Sequence, residues 1–227
     1  MNIQGVLKMY SRDKWAWFFI PNMILFSVFL LNFIVSLLIS SNVMMYTGGV
    51  SYIFFYMLVM GIMVVTQTFP YAIGMSIRRT DYFLGTVVMA VAVNVLFGIM
   101  LVFFSVIENA TNGWGGRFHF FHFPYLNDGS ILEQLTMYVI LLINLFCTGL
   151  LISSTARRFG AKGLVIAVIS VLLILSVVAL LVTYYSVWLD IFHWFASYTA
   201  VQIAYWLIIP TIVYMLLSFA LLRRATV

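Results

Sequence analysis

Apolar and polar residues in this chain do not alternate; they separate into long blocks. Residues 15–77, 82–107, 134–156, 163–189 and 191–222 contain no Asp, Glu, Lys or Arg. Runs such as LVIAVISVLLILSVVALLV have neither the two-residue period of a half-buried strand nor a polar helical face. A membrane barrel would alternate in segments of about ten residues, so uniform runs of this length read as helices surrounded by hydrocarbon. One crossing takes about 20 residues. The longest block has room for two crossings, joined by the turn that Ser40, Ser41, Asn42, Gly48 and Gly49 supply, and each of the others holds one. The pattern predicts an all-α polytopic membrane protein with six transmembrane helices. It forms a single transmembrane domain over residues 1–227, with spans near 17–39, 52–68, 85–106, 132–154, 163–184 and 200–221.

Ahead of the first span, Ile3, Val6, Leu7 and Tyr10 fall on one helical face and Gln4, Lys8, Ser11 and Arg12 on the other. This predicts an N-terminal amphipathic interfacial helix within residues 1–15, lying in the inner headgroup layer, with Trp15, Trp17 and Pro21 where the chain enters the bilayer. The apolar run after Lys14 is longer than a signal-peptide core, so it is expected to remain as a span.

Composition and charge sharpen this picture. The chain is 65% hydrophobic and 7% charged, where a soluble domain carries roughly 25% charged residues; a water-soluble globule is excluded. Lys8, Arg12, Lys14, Arg78, Arg79, Arg157, Arg158, Lys162, Arg223 and Arg224 all fall on one side of the six-span plan, with Asp13 and Asp81. Arg117 falls on the other with Glu108, Asp128, Glu133 and Asp190. Basic loops stay inside, so both termini are expected to be cytoplasmic. The basic balance is thereby accounted for as topology, and no nucleic-acid partner is expected. Cys147 is the one cysteine; it reads as a mid-span packing residue.

Catalytic chemistry finds little purchase. None of the six spans carries an ionisable side chain at depth, which disfavours an ion-coupled carrier or proton pump. The neutral polar side chains inside them bond helix to helix or line a substrate path; Asn32, Gln67, Asn94 and Asn144 are the candidates for the path. His119 and His122 in FHFFHF have no acid between them, and a metal needs three or four ligands, so no metal site is expected. No lysine follows a glycine, so the phosphate-cradling GxxxxGK motif is absent. The chain is expected not to be an enzyme, and any uphill work needs energy from another chain.

The sharpest motif lies between the second and third spans, from Gln67 to Thr86: QTFPYAIGMSIRRTDYFLGT. Pro70 is expected to interrupt the preceding helix, Gly74 to loosen the chain, and Thr80 to cap a helix restarting at Asp81, whose carboxylate suits a helix N-terminus. This segment resembles the signature that follows the second span in permease subunits of ABC-2 type ATP-binding-cassette exporters. The six-span plan with both termini inside, and the amphipathic helix before it, are similar to that family as well. The resemblance covers most of the chain in plan and about twenty residues in motif. It implies an assembly of two permeases, a second copy or a homologous chain, with two cytoplasmic ATPase subunits that hold ATP and Mg. This chain itself would bind no cofactor. Gly74, Arg78, Arg79 and Asp81 match the family's ATPase-coupling element, and the family implies a multi-pass protein of a bacterial plasma membrane.

Two further segments are rich in aromatic residues. Residues 108–131 hold Trp114, Phe118, Phe120, Phe121, Phe123 and Tyr125 among glycines and Pro124, and residues 185–198 read YSVWLDIFHWFASY. They are expected to lie against the outer leaflet or to close the outer exit, with Trp114, Phe120, Phe121, Trp188 and Trp194 as candidate gate residues. The uncharged interior suits hydrophobic or amphipathic peptide or lipid-like cargo and contact with membrane lipid. A non-transporting immunity or sensor protein that binds peptides at its outer face, and a secondary transporter, are the competing readings.

Overall fold

A computed structural model gives the fold of residues 3–38, 44–122 and 129–225. Ser40, Ser41 and Asn42 of the expected first turn, and Phe123, Pro124 and Tyr125 of the aromatic loop, lie outside the described residues. The chain is nearly all helical. Helix α1 spans Ile3–Arg12; a widened π turn at Trp15–Phe19 leads into α2, Ile20–Leu38; α3 is Ser51–Met63, and a second π turn, Val64–Thr68, joins it to α4, Phe69–Gly74. The long α5 covers Arg79–Ala110 and α6 covers Ile131–Tyr184, followed by α7, Trp188–Ala196, α8, Ala200–Trp206, and α9, Ile208–Arg223. Two short strands, β1 at Met45–Tyr46 and β2 at Phe118–His119, pair in parallel.

Among the described residues, five helical stretches are long and apolar enough to cross a membrane: Trp15–Leu38, Ser51–Gly74, Arg79–Ala110, Ile131–Tyr184 and Ala200–Arg223. The fourth has 54 residues. Straight, it would run about 80 Å, more than twice the hydrocarbon thickness. It breaks at Gly160, whose φ of 72° and ψ of −178° are not helical and are open to glycine without steric cost. The break falls between the stretches 132–154 and 163–184 that hydropathy separates.

The packing core joins α3, α5, the first half of α6, and α9. Gly61 on α3 and Gly149 on α6 let two backbones meet: a Cβ on Gly61 would overlap the Phe146 carbonyl oxygen, and one on Gly149 the Leu58 carbonyl oxygen. Small residues at a crossing are how helices approach closely in lipid, where no hydrophobic gain drives association. The Ser153 hydroxyl donates to the Gly61 carbonyl across this seam at 3.3 Å. Asn144 ties α6 to α9, its amide donating to Thr211 Oγ1 at 2.8 Å and to the Leu207 carbonyl at 3.3 Å. Residues 168–181, by contrast, are exposed throughout, as an apolar helix facing hydrocarbon on every side would be. Cys147 is buried among apolar side chains.

Among the described residues the buried side chains fall into two clusters. One gathers both ends of the chain, with Val6, Tyr10 and Trp17 packed in company with Val65, Phe69, Tyr82, Leu222 and Ala225. The other holds Leu25, Val50, Ile53, Phe97, Tyr138 and the aromatic residues Phe118, Phe120 and Phe121.

Local expectations are corrected at four places. Pro70 does not end its helix: the π turn at Val64–Thr68 precedes it and α4 carries on with Pro70 in its first turn. Proline crowds the carbonyl four residues back and offers no N–H, and a wider turn accommodates that defect without stopping the helix. Gly74, expected to loosen the chain, still belongs to α4, and the left-handed residue of the following turn is Ser76, with φ of 59°. Thr80 is no cap, because α5 begins at Arg79 behind an extended Arg78 that makes no side-chain capping bond. Finally, the apolar face of α1 meets protein as well as any headgroup layer: Val6 and Tyr10 are fully buried.

Candidate functional site

Behind the turn between α4 and α5 lies a knot of hydroxyls. The Tyr10 hydroxyl sits 2.8 Å from Thr86 Oγ1 and 3.2 Å from Thr68 Oγ1, and Thr68 Oγ1 is 2.9 Å from the Tyr82 hydroxyl. Two of these groups also reach a buried carbonyl of the π turn: Thr68 donates to Val64 O at 2.6 Å and Tyr82 to the same oxygen at 3.1 Å. The sequence places these groups together for separate reasons. Tyr10 ends the apolar face of α1, Thr68 closes the π turn ahead of Pro70, and Tyr82 and Thr86 sit one turn apart on α5. Burial pushes the Tyr10 phenol above its ordinary value, while its bonds to Thr68, Thr86 and Tyr82 pull the other way; it stays a neutral donor. Val6, one turn before Tyr10, fits against Gly85, where a Cβ would come within 2.7 Å of it. The knot therefore fixes α1, the end of the second apolar stretch and the start of the third as one unit.

The turn in front of this knot presents Tyr71, Met75, Ser76 and Arg78, all exposed. Of the four expected coupling residues, Gly74 has open space where a Cβ would be and Arg78 projects outward. Arg79 turns sideways and donates through Nη1 to the Arg223 carbonyl at 2.8 Å, joining α5 to the end of α9. Asp81 is buried in the first turn of α5, where a carboxylate complements the helix dipole. A cavity of about 520 Å³ opens between α1 and this turn, lined by Lys8, Arg12 and Asp13 on one side and Tyr71 and Met75 on the other.

At the opposite end of α5, a carboxylate does work that its position in the sequence conceals. Glu108 is fully buried. Its Oε2 accepts from the Phe121 amide at 2.8 Å, the Phe120 amide at 3.0 Å and Trp114 Nε1 at 3.1 Å, and its Oε1 from the His122 amide at 3.0 Å, with His119 Nδ1 3.3 Å away. Several backbone N–H groups converging on one carboxylate make a strong, charge-assisted anchor. The chain returns to Glu108 through Gly113–Arg117, where even Trp114 is left-handed, with φ of 56°. Tyr46 stacks on the His119 ring at 4.8 Å, and β1 and β2 join the two loops of this end. The result is a cap folded down into the bundle.

Of the two expectations for the loop after α5, lying against the outer leaflet or closing the outer exit, the first is corrected for its described residues: Phe118, Phe120 and Phe121 are wholly buried, because the Glu108 anchor pulls their backbone inward. The five candidate gate residues separate accordingly. Trp114, Phe120 and Phe121 belong to the cap, packed around Phe29. Trp188 and Trp194 sit on α7, which buries none of its residues, and Trp194 packs against Tyr198 and Trp206. The four candidate path residues also part company. Asn94 is fully buried on α5 with its Oδ1 unpartnered, Asn144 bridges α6 to α9, Asn32 bonds back to the Val28 carbonyl, and Gln67 is exposed.

Sequence reasoning missed Glu108 and the hydroxyl knot. The signal for Glu108 was an acid just past a span, followed by a glycine-rich return and consecutive backbone donors; the FHFFHF pair has its acid eleven residues upstream rather than between its histidines. Among the described residues no group of three His, Cys, Asp or Glu is arranged to hold a metal. No protein-family model matches this chain, and no curated protein or solved structure matches it.

Proposed function

We propose that this chain is the permease subunit of an ATP-driven exporter of the ABC-2 type, a six-span protein of a bacterial plasma membrane with both termini in the cytoplasm. The observation that carries the reading is the hydroxyl knot of Tyr10, Thr68, Tyr82 and Thr86 directly behind the Arg78 turn. A push on that turn cannot be absorbed locally, since α1, the π turn and α5 are bonded together; it must pass into two membrane helices. The exposed Tyr71, Met75 and Arg78, beside a cavity edged by Lys8 and Arg12, give a cytoplasmic ATPase subunit a surface to engage. A second permease, the same chain or a homologous one, would complete the path.

The apolar character of the chain favours hydrophobic or amphipathic cargo, a peptide or a lipid-like compound. An almost wholly apolar cavity of about 370 Å³ between Trp194, Tyr198 and Trp206 has the chemistry to receive such a molecule near the end of α7. ATP and Mg belong to the partner in this reading. The test is recovery of the tagged chain from its native membrane with an ATPase bound, and ATP-driven movement of labelled amphipathic peptide into inverted vesicles. Arg78→Glu, on an exposed side chain, should reduce recovery of the ATPase and transport at least tenfold with the chain still present in the membrane. Full transport by that variant, or a chain that carries no ATPase, defeats the proposal.

A further inference from the structure

The end of α9 carries a feature that ATPase coupling does not use. Arg158, at the close of the first half of α6, faces Arg223 and Arg224 across a cavity of about 350 Å³ whose remaining walls are Phe219 and Ala220. Among the described residues no carboxylate lines it. Arg79 holds the Arg223 carbonyl at 2.8 Å and adds a fourth guanidinium to the same corner of the fold. Arg158 is itself steadied over the Phe159 ring, 4.9 Å from its centroid. Three guanidiniums that have no acidic partner among the described residues repel each other around one space unless an anion joins them, and the planar fork of arginine matches the oxygens of a phosphate.

Phe219 also belongs to a second cavity. This one, about 420 Å³, is a groove between α5 and α9 whose walls include Phe83 and Val87 on one side and Ile212, Met215 and Leu216 on the other. The floor is the Phe83 and Phe219 ring pair, 5.2 Å apart. On α9, residues 212, 215, 216, 219 and 223 recur at helical spacing, so the groove runs along one stripe of the helix and ends at the arginines. From Ile212 to Arg223 the rise is about 16 Å, close to half of a hydrocarbon core about 30 Å thick. A site with a trio of arginines at one end and one leaflet's depth of apolar groove behind it has the shape and polarity of a phospholipid.

The geometry points to a binding site for an anionic phospholipid, its phosphate among Arg158, Arg223 and Arg224 and an acyl chain along the α5 and α9 groove. A free phosphate compound would satisfy the arginines but leave the groove unfilled, and a zwitterionic lipid would bring its own cation to a cluster that already has an excess of positive charge; the observations favour an anionic lipid on both counts. The site does not depend on whether an ATPase docks at the Arg78 turn.

The test is lipid retention by the full chain purified in mild detergent and exchanged into nanodiscs of mixed phosphatidylglycerol and phosphatidylcholine, read by native mass spectrometry. The chain should keep phosphatidylglycerol over phosphatidylcholine by at least tenfold. Combined Arg158→Gln, Arg223→Gln and Arg224→Gln should abolish that preference, and Leu216→Trp, which fills the groove and leaves every arginine in place, should lower total lipid retention severalfold. Excess inorganic phosphate should fail to displace the lipid. Equal retention of the two lipids by the unaltered chain overturns the assignment, as does retention unchanged by the triple substitution. Loss of the lipid to inorganic phosphate alone, or full retention by Leu216→Trp, shows an anion site without a place for the acyl chain and equally overturns it.

Discussion

The Phe121 amide donates to the Glu108 carboxylate at 2.8 Å, although thirteen residues separate them in the chain. With the Phe120 and His122 amides and Trp114 Nε1 on the same group, this one side chain organises the cap. Removing it as Glu108→Ala strands several buried donors at once. Since hydrogen bonds to a charged group are each worth about 1.5–3 kcal/mol, the variant should lose at least about 3 kcal/mol. Glu108→Gln should be damaging too, because its amide nitrogen would face donors with a donor. Thermal unfolding in detergent, together with protease cleavage between α5 and α6, measures both; a cap equally resistant in Glu108→Ala would mean that aromatic packing alone holds it.

At the other end of α5, the Tyr10 and Thr86 hydroxyls lie 2.8 Å apart in a fully buried setting. Tyr10→Phe and Thr86→Val should each cost about 1–2 kcal/mol, since either breaks their shared bond in a buried network, although Tyr10 keeps Thr68 and Thr86 keeps the Tyr82 carbonyl. The double variant removes both polar groups and should cost less than the sum by at least about 0.5 kcal/mol. A double-mutant cycle on chemical unfolding in detergent reads this directly, and strict additivity would show that the two hydroxyls do not act together.

The seam between α3 and α6 depends on the absence of side chains at Gly61 and Gly149. Either residue changed to Ala puts a methyl group onto a facing backbone carbonyl, which cannot swing aside as a side chain can. Helix separation is then forced, and Gly149→Ala should destabilise by about 2 kcal/mol or more, within the usual range for overpacking a filled interior or just above it. Ser153→Ala, which removes the hydroxyl that reaches the Gly61 carbonyl across the seam at 3.3 Å and the Gly149 and Leu150 carbonyls of its own helix, should cost about 1 kcal/mol. A reversed order of these two variants in thermal midpoint would remove close backbone approach as the basis of the seam.

Hydropathy was enough to expect an all-helical membrane protein, because blocks such as residues 163–189 have no other physical reading. It could not say that the Pro70 helix continues, since a π turn spends backbone geometry that composition does not encode. Nor could it place Tyr10, which has an apolar pattern position but a polar task at its tip. Glu108 was hidden for a related reason: counted by side, an acid beyond a span is a topology marker, and only the fold returns Phe120 and Phe121 to it. Arg79 illustrates the converse. Its motif position suits a coupling surface, yet its guanidinium is spent on the Arg223 carbonyl, a partner 144 residues away that no local pattern names.

The packing of α1 can be tested by a substitution and its rescue. Val6 fills the space above Gly85 so closely that a Cβ there would lie 2.7 Å from both Val6 Cβ and Cγ1. Gly85→Ala should therefore lever α1 away from α5, stretch the Tyr10 and Thr86 bond just beyond it, and destabilise by about 1–3 kcal/mol. The neighbour in the way is a small branched side chain with little freedom to move, so the strain cannot relax by rotation. Shortening it removes the clash: Val6→Ala combined with Gly85→Ala should recover most of the loss, although Val6→Ala alone should cost about 1–2 kcal/mol for the lost burial. Unfolding midpoints of the four proteins decide the matter. Alone, Gly85→Ala should also leave residues of α1 open to a thiol label placed at Met9→Cys, and the pair should close them again. An α1 that rests only on lipid would show neither the clash nor the rescue.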